Sequence, residues 1–205
     1  MTRLATAIAD STVAAPASAT NPTSKLRRTV LTYKDYAAIT PSNNGNYQLI
    51  NGNIVFMPSP TPQRQDVVTE LATLMRFFAK SNNLGKVFTA PLDTTFDETN
   101  TFQPDILFIK KERAHIIGVK RIEGAPDFVV EVLSEGNSPK EMAFKKYIYE
   151  TFLVREYWVV NLKKKTIVQY LNEEGEFQKL GTFKADDFVK SIVLEGFQTK
   201  LEDLL

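Results

Sequence analysis

The stretch Gly124-Ala125-Pro126-Asp127-Phe128-Val129-Val130-Glu131-Val132-Leu133-Ser134 decides how this chain folds. From 127 to 133 it is a near-continuous, β-branched apolar run, the pattern of a strand covered on both faces, and Gly124-Ala125-Pro126 punctuates its entry. Such a strand belongs at the centre of a sheet. A lone carboxylate, Glu131, interrupts it. Burying an unpaired ionised group costs several kcal/mol, so Glu131 needs a cation, a hydrogen-bonding network or a strand end near water.

Working outward, residues 102–109 predict a neighbouring strand that carries a second acid, Asp105, between Pro104 and Ile106-Leu107-Phe108-Ile109. A different pairing, Asp127 with Glu131, fails on distance. Residues four apart in a strand lie about 13 Å apart at roughly 3.3 Å per residue, too far to share one metal ion. An acid on an adjacent strand can come within about 5 Å, close enough for a cation with ligands at about 2.1 Å. Asp127 therefore reads as a strand-entry residue.

The remaining elements frame this pair. Thr32 caps a short helix begun by Tyr33-Lys34-Asp35-Tyr36, and Pro41-Ser42-Asn43-Asn44-Gly45 breaks it. Asn51-Gly52, between residues 47–50 and 54–57, predicts a tight hairpin. Residues 65–80 space Val68, Leu71, Leu74, Met75 and Phe78 as one buried helical stripe, ended by Asn82-Asn83-Leu84-Gly85. Residues 86–92 predict a strand, 110–122 a short helix and loop, and 138–152 a second long helix entered through Ser138-Pro139. Residues 156–160 and 166–171 form a hairpin, and a turn at 172–175 leads to a further strand. The mixed order implies an α/β (α+β) fold, a central mixed sheet flanked by helices.

Composition narrows the function. Lys plus Arg number 25 against 24 Asp plus Glu, so a polyanion would have to be held by a local patch. With no cysteine and one histidine, His115, thiolate zinc sites, His-rich metal sites and Ser/His/Asp triads lack material. No apolar run approaches the roughly 20 residues of a membrane span, so no membrane contact and a cytoplasmic location are expected. Residues 1–28, rich in Ala, Thr and Ser, read as a disordered leader before a single domain over 29–205. A transit peptide is the alternative, since Arg3, Arg27 and Arg28 are basic and Asp10 is the one acid there.

An ordered set of fragments carries a resemblance: Tyr47-Gln48-Leu49-Ile50-Asn51-Gly52, Gln103-Pro104-Asp105, the 124–134 stretch, Lys145 with Tyr149, and Glu156-Tyr157-Trp158-Val159-Val160. Together, over about residues 30–190, they resemble the Uma2 family, assigned to the PD-(D/E)XK restriction-endonuclease-like superfamily. The resemblance implies that Asp105 and Glu131 hold Mg²⁺ or Mn²⁺, which polarises a scissile phosphate of DNA and activates the attacking water. Many superfamily members place a lysine two residues after the glutamate. Leu133 stands there, and the helical Lys145 matches the family's alternative.

Three positions depart from the family: Gln48 and Asn53 where glutamates are common, and Arg64 where a histidine is. Gln48 can still hydrogen-bond a metal-bound water, and Arg64 can grip a phosphate but cannot serve as a base. Gln48, Arg64, Ser134 and Tyr149 are the expected substrate contacts. These departures leave a second reading open, an inactive nuclease fold acting as a binding or assembly module. By analogy, cutting two strands suggests a homodimer. Lys145 has a competing partner in Glu141, four residues earlier on a helix surface. Trp158 reads as core, Lys163-Lys164-Lys165 as a solvated turn and His115 as a surface residue.

Overall fold

The computed structural model describes residues 30–39, 47–133 and 138–205. The leader, the break at 41–45 and Ser134 lie outside the described residues.

Helix α1 (Tyr33–Ile39) opens on a reciprocal cap, in which the Thr32 N–H donates to Asp35 Oδ2 at 2.9 Å. Strands β1 (Tyr47–Ile50) and β2 (Asn53–Phe56) form the expected hairpin. Asn51 and Gly52 both take positive φ, 49° and 67°, as the tight turn requires. Helix α2 (Pro62–Ser81) starts earlier than its apolar spacing suggested, because Pro62 fits the first turn and Thr61 Oγ1 accepts the Arg64 N–H at 3.3 Å. Its buried face is Val67, Val68, Leu71, Ala72, Met75 and Ala79. Leu74, expected in that stripe, is exposed, so the true face is rotated away from it.

Strand β3 (Gly85–Thr89) stops short of residue 92, where the Ala90-Pro91 step leaves the ladder. Strand β4 (Thr94–Asp97) is too short to have shown a pattern. The single strand expected over 102–109 is in fact two, β5 (Asn100–Phe102) and β6 (Ile106–Lys110). Pro104, which has no N–H to give to a ladder, sits in the break, and the two halves enter different sheets. A 3₁₀ turn (Lys111–Ile116) and β7 (Ile122–Glu123) lead to β8 (Phe128–Leu133), the strand of the opening stretch.

Helix α3 (Pro139–Thr151), capped by Ser138, crosses from β8 to its parallel neighbour β9 (Glu156–Asn161). β10 (Thr166–Glu173) and β11 (Glu176–Lys184) extend the sheet, and β12 (Val189–Lys190) pairs with β13 (Gln198–Thr199) near the C-terminus. The larger sheet runs β11-β10-β9-β8-β6-β3, with β8 antiparallel to β6 and parallel to β9, a mixed sheet with β8 inside it. A second sheet runs β2-β1-β5-β4-β7.

Alternation along β8 divides the core. Phe128, Val130 and Val132 pack with the buried face of α2 and with Trp158, Val160 and the C-terminal residues Val193, Leu194 and Phe197. Val129 packs on the other face with Ile148 and Tyr149 of α3 and with Phe96 and Phe102 of the smaller sheet. Glu131 shares that second face with Val129, since residues two apart in a strand point the same way. Among the described residues, no helix is long and apolar enough to cross a membrane.

Candidate active site

Asp105 lies one residue ahead of β6, and the β6–β8 register pairs Ile106 with Val130 and Leu107 with Val129. One step further along this register sets Asp105 opposite Glu131, the cross-strand arrangement in which two side chains of one face meet. The Val132 N–H donates 2.7 Å to Asp105 Oδ2, which fixes the carboxylate against the β8 backbone.

Each acid already has a cation. Lys145 Nζ, from α3, donates to Glu131 Oε1 at 3.1 Å, and both side chains are 2% exposed. The Tyr149 hydroxyl, one turn along, donates to the same oxygen at 2.6 Å. Spacing of i and i+4 puts Lys145 and Tyr149 on one helix face, which α3 turns toward the sheet. The pairing of Lys145 with Glu141 is not what forms: Lys145 is buried, and its partner is Glu131. On the other side, Arg64 Nη2 donates to both oxygens of Asp105, at 2.8 and 2.9 Å. The sequence points Arg64 to substrate phosphate; in the structure its partner is Asp105. The two residues are 41 positions apart, and nothing in the local pattern links them.

Burial, and next the negative charge of Glu131, push the Asp105 carboxyl above the usual aspartate range, against the pull of Arg64 and the Val132 N–H. Burial, and then Glu131, likewise raise Tyr149 well above the ordinary tyrosine value, so its hydroxyl keeps the proton that it donates. Tyr149 is fully buried, and its part in the site runs through the carboxylate it holds.

Gln48 on β1 is buried and accepts the Gln103 N–H at 3.1 Å through Oε1, and Gln103 Nε2 in turn donates to Asp93 at 2.9 Å. Gln48, Arg64, Gln103 and Asp105 line a cleft of about 220 Å³ together with Met57, Pro58 and Pro60. Asn53 is turned away, donating to the carbonyls of Ile50 and Asn51 within its own hairpin. Asp127 accepts from the Lys110 N–H and from Arg113, as a strand-entry residue should. Trp158 is in the core, and His115 and the 163–165 turn are exposed.

Among the described residues, no group of three or more His, Cys, Asp or Glu is poised for a metal ion. Two facing carboxylates still fit Mg²⁺ or Mn²⁺. Such hard cations keep several waters and take one or two carboxylates from the protein. Among the described residues, none donates to Glu131 Oε2.

The family model that matches the chain is Uma2, described as "putative restriction endonuclease", over residues 33–202. The chain is also similar to the crystal structure of "a putative nuclease belonging to DUF820" from Anabaena variabilis ATCC 29413. That match has a TM-score of 0.71 at 18% identity and covers 85% of this chain and 97% of the other, a likeness of fold. No curated protein matches.

Proposed function

The chain belongs to the Uma2 family, and on that premise we propose that it is a Mg²⁺- or Mn²⁺-dependent endonuclease that hydrolyses phosphodiester bonds in DNA. The observation that carries this reading is the convergence of two carboxylates, Glu131 on β8 and Asp105 just ahead of the adjoining β6, with an ammonium from α3. Asp105 and Glu131 would hold the ion, which supplies charge to the scissile phosphate and acidity to water. Lys145 keeps Glu131 in place and presents the remaining N–H donors of its ammonium to the attacking water or to the charge that develops on phosphate oxygens. Tyr149 fixes the Glu131 rotamer. Gln48, held by the Gln103 N–H, lines the cleft through which a DNA strand reaches Asp105, and Ser134 directly follows β8 as a further substrate contact. A homodimer in the cytoplasm would bring two such sites to the two strands of a duplex.

The test is cleavage of plasmid and single-stranded DNA by the purified chain in Mg²⁺ and in Mn²⁺, with and without chelator. Activity that needs the ion and falls by about 100-fold or more in Lys145→Ala, and further in Glu131→Ala, is the expected result. Intact DNA under both ions, with metal and DNA binding unchanged in Glu131→Ala, would overturn it.

A second reading is favoured by one specific feature. Arg64 and Lys145 together balance the charges of Asp105 and Glu131, so the cluster is electrically closed as it stands. A nuclease fold retained as a binding or assembly module would look like this, and such a chain would show no stabilisation by Mn²⁺.

A further inference from the structure

We propose that Arg64 is a gate on the metal position: it closes Asp105 until a substrate phosphate draws its guanidinium away, so that divalent ion and nucleic acid bind cooperatively. This inference rests on the metal-dependent reading above.

The geometry behind it is specific. One nitrogen of Arg64, Nη2, spans both oxygens of Asp105 at 2.8 and 2.9 Å, so the face of the carboxylate that a cation would use is covered. Arginine cannot give up its proton at any ordinary pH, so the guanidinium leaves by moving. It lines the 220 Å³ cleft together with Asp105, whereas Glu131 and Lys145, 2% and 1% exposed, do not line it. An ion entering by this cleft meets Arg64 first.

The guanidinium also has a reason to turn outward. Its Nε is buried and, among the described residues, has no hydrogen-bond partner, an unsatisfied donor that turning toward an anion in the cleft would satisfy. Arg64 sits in the first turn of the 20-residue α2, and Pro60, Gln65 and Val68 around that positive end also line the cleft, which adds to the attraction. A phosphodiester offers two anionic oxygens to the planar donor edge of arginine, a better match than one nitrogen straddling a carboxylate. Moving Arg64 from Asp105 to phosphate leaves the two acids with Lys145 alone, a deficit that a divalent ion fills. Phosphate and metal thus each make room for the other, and their coupling must be equal in both directions.

Calorimetry on the full chain tests this. Mn²⁺ is titrated alone and then with a saturating single-stranded phosphorothioate oligodeoxynucleotide, which resists cleavage. The expected result is Mn²⁺ binding about tenfold tighter with the oligonucleotide present, within the usual range of allosteric coupling. In Arg64→Gln, Mn²⁺ alone binds about tenfold tighter than in the wild type, and the oligonucleotide changes it by less than about twofold. Arg64→Lys, which keeps the charge without the planar edge, retains only part of the coupling. Equal Mn²⁺ affinity of the wild type with and without oligonucleotide overturns the gate and leaves the metal site standing, and this arm needs no variant to fold. Full coupling in Arg64→Gln also overturns it. Absence of Mn²⁺ binding under every condition overturns the gate and the nuclease reading together.

Discussion

Glu131 on β8 and Glu156 on the adjoining β9 are both glutamates buried in strands, 2% and 0% exposed, yet their surroundings could hardly differ more. Glu156 begins its strand beside Phe128, on the face toward α2, and every donor it meets is neutral. Its Oε1 accepts from Trp158 Nε1 at 2.7 Å and Gln169 Nε2 at 2.8 Å. Its Oε2 accepts from Ser191 Oγ at 2.7 Å and from the N–H groups of Ile192 and Val193 at 3.0 and 2.8 Å. Glu131 faces α3, takes one cation and one hydroxyl on a single oxygen, and has a second acid across the ladder. A buried acid within a strand is therefore not by itself the mark of a site. A carboxylate saturated by fixed neutral dipoles has a structural setting, and one that pairs with a cation and faces another acid has the setting that the proposed metal-binding role requires.

The largest effect expected from this contrast is at Glu156. Glu156→Leu leaves five donors without their acceptor, and each unmet buried donor costs about 1–3 kcal/mol before relaxation. A loss on the order of 5 kcal/mol should follow, read as a collapsed urea transition. A loss below about 2 kcal/mol would mean that water replaces the carboxylate, and that Glu156 is less fixed than its hydrogen bonds imply.

Next comes the Glu131 pair. Lys145→Met strands a buried carboxylate and should cost about 3–5 kcal/mol. Adding Glu131→Met should recover part of that, because a buried ion pair replaced by apolar residues of similar volume is close to neutral, while the Tyr149 hydroxyl left without its acceptor costs about 1–3 kcal/mol. If the double variant recovers nothing, Glu131 is built into the fold as Glu156 is, and the distinction between them fails.

The sequence carried this distinction only in part. The apolar run around Glu131 made the strand and its central place readable, and Asn51-Gly52 did the same for the hairpin, since both signals are local. The meeting of Asp105 with Glu131 followed from adjacency of strands, although residues 102–109 conceal a break between two sheets that only Pro104 hinted at. Glu156 shows a related signal, an acid at the head of an apolar and aromatic run, where Glu131 interrupts one. What separates them, the loop at Ser191-Ile192-Val193 folded over one and Lys145 over the other, is tertiary. Arg64 was visible as a residue and not as a partner, because a contact across 41 positions leaves no periodicity to read.

The smallest effect is one of sign, and it separates Asp105 from an ordinary exposed acid. Burial and Glu131 raise the native carboxyl of Asp105 above its unfolded value near 3.8. Between 3.8 and that raised value the native state binds more protons than the unfolded chain, so this residue's contribution to stability falls as pH rises through the window. Above the window its destabilising share is fully present, and acid relieves it. Asp35 is the opposite case: bonds from the Thr32 N–H and hydroxyl depress it, so the stability it gives is present above 3.8 and lost as pH falls through the depressed value. Urea midpoints of the wild type, Asp105→Asn and Asp35→Asn, measured from neutral pH into the carboxylate range, give each residue's share by subtraction. The wild-type advantage over Asp35→Asn should shrink toward acid, and the comparison with Asp105→Asn should move the other way. Parallel slopes would mean that Arg64 outweighs burial at Asp105. Opening that pair would then be harder than the gate requires, and the coupling between metal and nucleic acid should weaken with it.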